Sequence, residues 1–261
     1  MSAAPTLRFE RTLLRGGVRH LAACDEVGRG ALCGPVTIGV VVISETTRTA
    51  PQGVRDSKLL TPEARQRLVP KIQRWAACWA VGHATPGEID EFGIIPALRL
   101  AGHRALAQLS IVPDQVLLDG NHDYLTPPAP APLVEPVEVP LFDVPVAPAA
   151  LPVAPALDEL IDLPPVLTRI KADLTCAAVA AASILAKTAR DALMVELDGE
   201  HPEYGWLENK GYSAPAHIDA LARFGPTTHH RRSWSLPGVT SGLESDLPVV
   251  VPGEGPVEET A

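Results

Sequence analysis

Cys24-Asp25-Glu26-Val27-Gly28-Arg29-Gly30-Ala31-Leu32 leads into the apolar run Val36-Thr37-Ile38-Gly39-Val40-Val41-Val42-Ile43, and the fold is decided by how this passage is read. It places two adjacent carboxylates and a Gly-Arg-Gly turn at the edge of a β-type segment. In a regular strand Asp25 and Glu26 point to opposite faces. A metal shared by both therefore requires the chain to leave the ladder at Gly28, which glycine permits. Taken alone, the pair is a charged strand end beside a tight turn. Its meaning depends on the rest of the chain.

Outward from that passage, residues 7–43 read as β structure broken by turns at Arg15-Gly16-Gly17 and Gly28-Arg29-Gly30. Asp56-Ser57-Lys58 is a polar loop, and Thr61 followed by Pro62 is an N-cap and first helical position. The helix that follows sets Leu68, Ile72, Trp75 and Trp79 on one face and Arg67, Lys71 and Arg74 on a solvated one, with a kink expected at Pro70. Residues 79–84 alternate like a strand, and 94–109 have helical spacing. Val116-Leu117-Leu118 is a short buried strand ending in Asp119-Gly120-Asn121. Functional groups gather at the carboxyl ends of strands in α/β sheets, although Asp-Gly-Asn also suits a simple turn.

Residues 121–165 hold twelve prolines, seven acids and no Lys or Arg, a composition that reads as a polyproline-like or disordered insertion. Order resumes with a strand at 166–170. Asp173 then opens an Ala-rich helix to about residue 197, for which it is a natural N-cap. Ala177, Ala180, Ala181 and Ile184 form its sheet-facing side, while Ser183, Lys187 and Arg190 make a second stripe able to flank a site. Lys210-Gly211-Tyr212-Ser213 precedes a helix over 214–224. A basic, aromatic stretch, Thr227 to Trp234, comes next. Its His229-His230 pair suits packing or phosphate contact better than metal, since the sequence offers no second pair.

Composition bounds the rest. The net charge of -9 argues against a nucleic-acid partner until it is divided by segment. The insertion and residues 237–261 together carry twelve acids without a base, leaving 19 acids against 22 bases elsewhere. That surplus is compatible with a phosphate backbone. Four cysteines without CxxC spacing argue against zinc and against a disulfide framework. No stretch approaches the roughly 20 apolar residues of a membrane helix, and residues 1–15 lack the apolar core of a secretory signal. The expectation is a cytoplasmic, monomeric protein with one catalytic domain over 1–236 and a disordered acidic tail over 237–261.

Asp25, Glu26, Asp119 and Asp173 are thus four acids at strand or helix ends. Such a set can hold two hard cations about 4 Å apart for phosphodiester cleavage. Oxygen-only ligation favours magnesium or manganese over zinc. Glycoside hydrolysis needs only two carboxylates, but sugar-stacking aromatics are scarce at 4% of residues.

Several blocks together resemble ribonuclease HII. They are Asp25-Glu26-Val27-Gly28-Arg29-Gly30 with Gly34-Pro35-Val36, Asp56-Ser57-Lys58, Leu118-Asp119-Gly120, Ala180 through Lys187, Lys210-Gly211-Tyr212, and Gly225-Pro226 through Trp234. They occur in family order across residues 20–235. The resemblance implies an α/β, RNase H-like fold: a five-stranded mixed sheet, three strands antiparallel then two parallel, flanked by helices. It implies endonucleolytic cleavage of the RNA strand of RNA/DNA hybrids and incision 5′ of single ribonucleotides in duplex DNA, with Mg2+ or Mn2+. On the same basis Asp25, Glu26, Asp119 and Asp173 are the metal ligands and catalytic carboxylates. Gly28, Arg29 and Gly30 sense the ribose 2′-OH, the group that distinguishes RNA from DNA. Tyr212 stacks on the neighbouring sugar, and Lys58, Ser183 and Lys187 are candidate phosphate contacts. The chain departs from the pattern where 53 residues separate Asp119 from Asp173, and the insertion is expected to loop away from the cleft. Another RNase H-like nuclease of resolvase or transposase type, and a non-catalytic hybrid-binding module, remain as alternatives.

Overall fold

The computed structural model describes residues 4–128 and 160–239; most of the expected insertion and the expected acidic tail lie outside the described residues. The run after the Gly-Arg-Gly turn forms β2 (Val36–Ser44), buried along nearly its whole length as its apolar, β-branched sequence requires. It pairs antiparallel with β1 (His20–Val27) and with β3 (Cys78–Ala84). On the other side of β1, β4 (Gln115–Asp119) and β5 (Val166–Arg169) add as parallel strands. The order β3-β2-β1-β4-β5 is the mixed five-stranded sheet expected from the resemblance.

Helices cover both faces. α2 (Pro62–Trp75) and α6 (Ala177–Glu200) lie on one side, where Leu21, Ala23, Val41, Ile43 and Leu117 point. α4 (Ile94–Ala107) lies on the other, against Ala22, Cys24, Ile38, Val40, Val116 and Leu118. The alanines of α6 let it approach the sheet closely. At Gly39 a Cβ would run into the carbonyl of Ala182, so only glycine fits. Shorter helices flank these: α3 (Pro86–Phe92), α5 (Ala172–Thr175), α7 (Trp206–Asn209) and α8 (Pro215–Phe224). Thr61 caps α2 as expected, its hydroxyl accepting from the Ala64 amide, and Arg67, Lys71 and Arg74 are solvated.

Three expectations are corrected. Residues 7–19 are not β structure: Arg8–Arg15 forms α1, whose inner face is Leu7, Glu10 and Leu14. A buried glutamate sits in the helical period, which masks it in a hydrophobicity pattern. Glu10 Oε1 accepts from the Ala178 amide at 2.9 Å and so caps α6 across the structure; burial raises its pKa. Asp173 does not cap the long helix either. It lies within the single turn α5, after which Cys176 is extended and bridged to Thr6 before α6 begins at Ala177. Finally, the described ends of the insertion are docked. Tyr124 and Leu125 are buried, Ile161 and Leu163 pack on the α4 side, and the Ile161 amide donates to His103 Nδ1.

Candidate active site

β1 and β4 are parallel neighbours with Cys24 opposite Leu118, so Asp25 and Asp119 follow side by side at the carboxyl ends of their strands. Parity puts both on the α6 side of the sheet. Glu26, one residue later, falls on the α4 side, as expected for a strand that stays regular through Val27. Asp173 arrives from α5. Its turn is fixed to β4 because the Ala172 amide donates to Asp119 Oδ1 at 2.6 Å. Lys171, at the head of that turn, adopts a left-handed conformation with φ 56°, a mildly strained state for a residue with a side chain.

The four acids are electrostatically coupled. Asp25 is 6% exposed; burial, then the charges of Glu26, Asp119 and Asp173, hold its pKa well above the usual carboxylate range, against a hydrogen bond from Ser183. Glu26 is raised by burial and by Asp119, with Arg29 opposing. Asp173 is raised by burial, Asp119 and Asp56, with Lys58 opposing. Gathering anions in a dry site destabilises the charged forms. Divalent cations remove that penalty, and an oxygen-only donor set fits magnesium or manganese. Among the described residues no three of these carboxylates bring oxygens within 4.8 Å of one another.

The remaining expected residues divide. Lys58 is exposed, and although burial alone would lower its pKa, Asp56, Asp25, Asp173 and Asp119 together raise it, so its ammonium stands in the field of the acids. Ser183 is not placed for phosphate. It is buried, donates to Ser57 Oγ at 2.9 Å, and meets Asp25. Lys187 is paired with Asp191 one turn along α6, and its Nζ is 5.9 Å from the Tyr212 ring centre. It belongs beside Tyr212, not beside the acids.

Gly28, at φ 85°, turns the chain away from β1. Two arginines hold that turn. Arg231 donates to the carbonyls of Gly28 (2.6 Å), Arg29 (2.8 Å) and Gly34 (3.1 Å). Arg190 donates to Pro35 (2.8 Å), Cys33 (2.9 Å) and Lys210 (2.9 Å). Both guanidiniums are fully buried. The amides of Leu32 and Cys33 donate to the Gly211 carbonyl, so the Lys210-Gly211-Tyr212 turn lies directly against the Gly-Arg-Gly loop. Tyr212 remains 36% exposed, with Arg190 Cζ 5.4 Å from its ring centre. The Arg29 side chain extends into solvent, with Nη1 3.9 Å from Glu26, and Gly30 has open space around its α-carbon.

A family model described as ribonuclease HII matches residues 22–137 and 151–236, the segments that build the sheet, the acids and both turns. The chain belongs to the ribonuclease HII family. Its class of activity is accordingly that of a ribonuclease H, a phosphodiester hydrolase. A ribonuclease HII of Streptomyces coelicolor is 41% identical over 257 residues, covering 94% of each chain. One from Streptomyces avermitilis is 41% identical over 232 residues, covering 88% of this chain and 84% of the relative. Among solved structures, the ribonuclease H2 of Pyrococcus horikoshii superposes with a TM-score of 0.59 at 28% identity, covering 83% of this chain and 94% of that one.

Within this family frame, some residues the sequence reading passed over lie at the site. The Tyr124 hydroxyl donates to Glu26 Oε2 at 3.3 Å; it sits five residues past Asp119, inside what composition marked as insertion. Arg231 comes from the basic stretch and Arg190 from the α6 stripe that flanks the site. No spacing rule could identify their role, because their partners are backbone carbonyls.

Proposed function

We infer that this chain hydrolyses the RNA strand of RNA/DNA hybrids and incises duplex DNA 5′ of single embedded ribonucleotides. The observation that carries the reading is the adjacency of two unlike features: a coupled set of four carboxylates at the ends of β1 and β4, and a buried-arginine-held turn whose backbone groups face the same end of the sheet. Mg2+ or Mn2+ held by Asp25, Glu26, Asp119 and Asp173 would supply charge neutralisation at the scissile phosphate and a more acidic attacking water.

The chain's own residues supply positioning. The Ser183 hydroxyl, which donates to Ser57, lies against the Asp25 carboxyl and opposes the rise in its pKa, and the Tyr124 hydroxyl donates to Glu26. With Arg231 holding the carbonyls of Gly28 and Arg29 on the inner side of the turn, the Gly28-Arg29-Gly30 backbone is a rigid edge suited to meet a ribose 2′-OH. Tyr212 offers a half-exposed ring to the adjoining sugar, and Lys58 offers a cation to a phosphate near the acids. Lys187 joins the Tyr212 side of that surface. Residues 1–236 form the catalytic unit in this reading, acting as a monomer in the cytoplasm where ribonucleotides enter DNA.

The decisive test is cleavage of a duplex carrying one ribonucleotide beside an all-DNA duplex of the same sequence, with magnesium, with manganese and with chelator. A cut 5′ of the ribonucleotide that requires metal is expected. Equal cutting of the all-DNA duplex would replace this reading with a resolvase-like one.

A further inference from the structure

His229 and His230 meet different fates. His230 is fully buried, its Nδ1 accepting from the Thr227 amide at 2.9 Å and its Nε2 3.0 Å from His217 Nε2. It is a packing residue, as the sequence suggested. His229 turns the other way, towards the end of α6. There Glu200 and His201 supply the partners that the sequence did not: one ligand atom from each of Glu200, His201 and His229 lies within 4.8 Å of the other two. His229 Nε2 is 3.9 Å from Glu200 Oε2. The two imidazoles meet edge to face with centres 5.7 Å apart. His201 Nδ1 is 3.3 Å from Glu203 Oε1.

We propose that Glu200, His201 and His229 form a second metal site, for zinc or a neighbouring late first-row ion. Two imidazoles and one carboxylate are a borderline donor set that such ions prefer and magnesium does not. The site is therefore chemically separate from the oxygen-only cluster at Asp25. With Glu203 accepting from Nδ1 of His201, Nε2 is the nitrogen left to bind, the carboxylate-imidazole arrangement that orients metal-bound histidines. Packing on Trp206, whose ring centre is 5.7 Å from that of His201 and 6.0 Å from that of His229, explains why the two rings approach. It does not explain why a carboxylate from the same helix end completes a trio, or why Glu203 takes the other nitrogen of His201.

The consequence is mechanical. The His229 carbonyl accepts from the Gly34 amide at 2.9 Å, and Arg231, two residues on, holds the Gly-Arg-Gly turn. A metal here ties the end of α6 to the segment that carries Arg231.

The full-length protein, stripped with chelator and returned to buffer with excess magnesium to occupy the oxygen cluster, is titrated with zinc by calorimetry and with cobalt by visible absorption. One equivalent of zinc and a cobalt spectrum of mixed nitrogen and oxygen ligation are expected. Glu200→Gln alters a side chain 70% exposed and should melt like the parent without zinc. It and His229→Ala should each lower zinc affinity by at least about tenfold, and Glu203→Gln by roughly tenfold or more. The proposal is overturned if the parent takes up no zinc under magnesium, or if Glu200→Gln and His229→Ala bind it as the parent does, which would assign uptake to the cysteines or the catalytic carboxylates.

Discussion

The carboxylates at the ends of β1 and β4 and the guanidiniums of Arg190 and Arg231 are both like-charge groups drawn out of water, yet their surroundings differ in kind. Around the acids are a serine and a tyrosine hydroxyl, the Ala172 amide and the side chains of Lys58 and Arg29, too little to offset burial and mutual repulsion, so Asp25, Glu26 and Asp173 are all raised. The two arginines donate to backbone carbonyls on three loop segments. Burial lowers Arg231 to about 10, which still leaves it charged at neutral pH. One region is held together by the sheet in spite of its electrostatics, a burden that bound divalent cations would relieve. The other is complete within the chain. Substitutions in the first should therefore change chemistry and leave the fold sound, whereas substitutions in the second should loosen the Gly-Arg-Gly turn.

The largest expected effect is Asp25→Asn, which should reduce kcat by about 10³-fold or more, equivalent to roughly 4 kcal/mol, while the hybrid still binds. Steady-state rates and fluorescence anisotropy separate the two, and parallel loss of binding would break the comparison. The same substitution tests the sign of the electrostatics. Because Asp25 is raised in the folded state, its stabilising contribution is full below the unfolded aspartate pKa and is lost as pH rises through the folded value. In the metal-free protein at neutral pH, Asp25→Asn should thus melt higher, by roughly 2–4 °C for each 1 kcal/mol of relief. The gain should vanish as the pH falls below about 3.9. A parent that melts higher at neutral pH would contradict the picture of unrelieved repulsion.

Next in size is Arg231→Met. It keeps apolar contact with Trp234, whose ring centre is 4.8 Å from Arg231 Cζ, but strands the carbonyls of Arg29 and Gly34 and leaves that of Gly28 with the Ala31 amide alone. Each unsatisfied buried carbonyl costs about 1–3 kcal/mol, so a loss of roughly 3 kcal/mol in urea unfolding is expected. The preference for a ribonucleotide over an all-DNA duplex should fall with it. A variant that lost stability and kept full discrimination would show that the turn reads its ligand without the arginine.

The same contrast explains what the sequence disclosed. Strand-end acids are legible because an apolar run, a carboxylate and a glycine follow one another along the chain, but the sheet order and the joining of Asp25, Glu26 and Asp119 into one site come from the family resemblance. Asp173 was located, but its turn was merged with α6, since nothing local reveals that Cys176 is drawn straight by Thr6. α1 was hidden by Glu10, whose burial makes sense only once the α6 amide it caps is in view. The helical stripe makes Ser183 and Lys187 candidate phosphate contacts, although their partners, Ser57 and Asp25 for one and Asp191 for the other, are what the structure gives them. Arg190 and Arg231 were the least legible, because a guanidinium bound to carbonyls leaves no matching acid anywhere in the sequence.

Tyr124 lies between the two regimes, a buried neutral donor serving the acid cluster. Its hydroxyl reaches Glu26 Oε2 at 3.3 Å, and burial raises its own pKa well above the ordinary tyrosine value, so it donates at every pH where the protein is folded. Tyr124→Phe removes only the oxygen from a ring packed on the α4 side. A neutral-to-charged hydrogen bond of this length contributes about 1 kcal/mol, so kcat/KM should fall about fivefold. Because the bond opposes the rise in the Glu26 pKa, its loss should also move the acid limb of the pH-rate profile upward. Thermal unfolding of the metal-free protein should barely change, since the carboxylate is itself strained there. A drop in stability without a shift of the acid limb would assign Tyr124 to the core alone and remove it from the site.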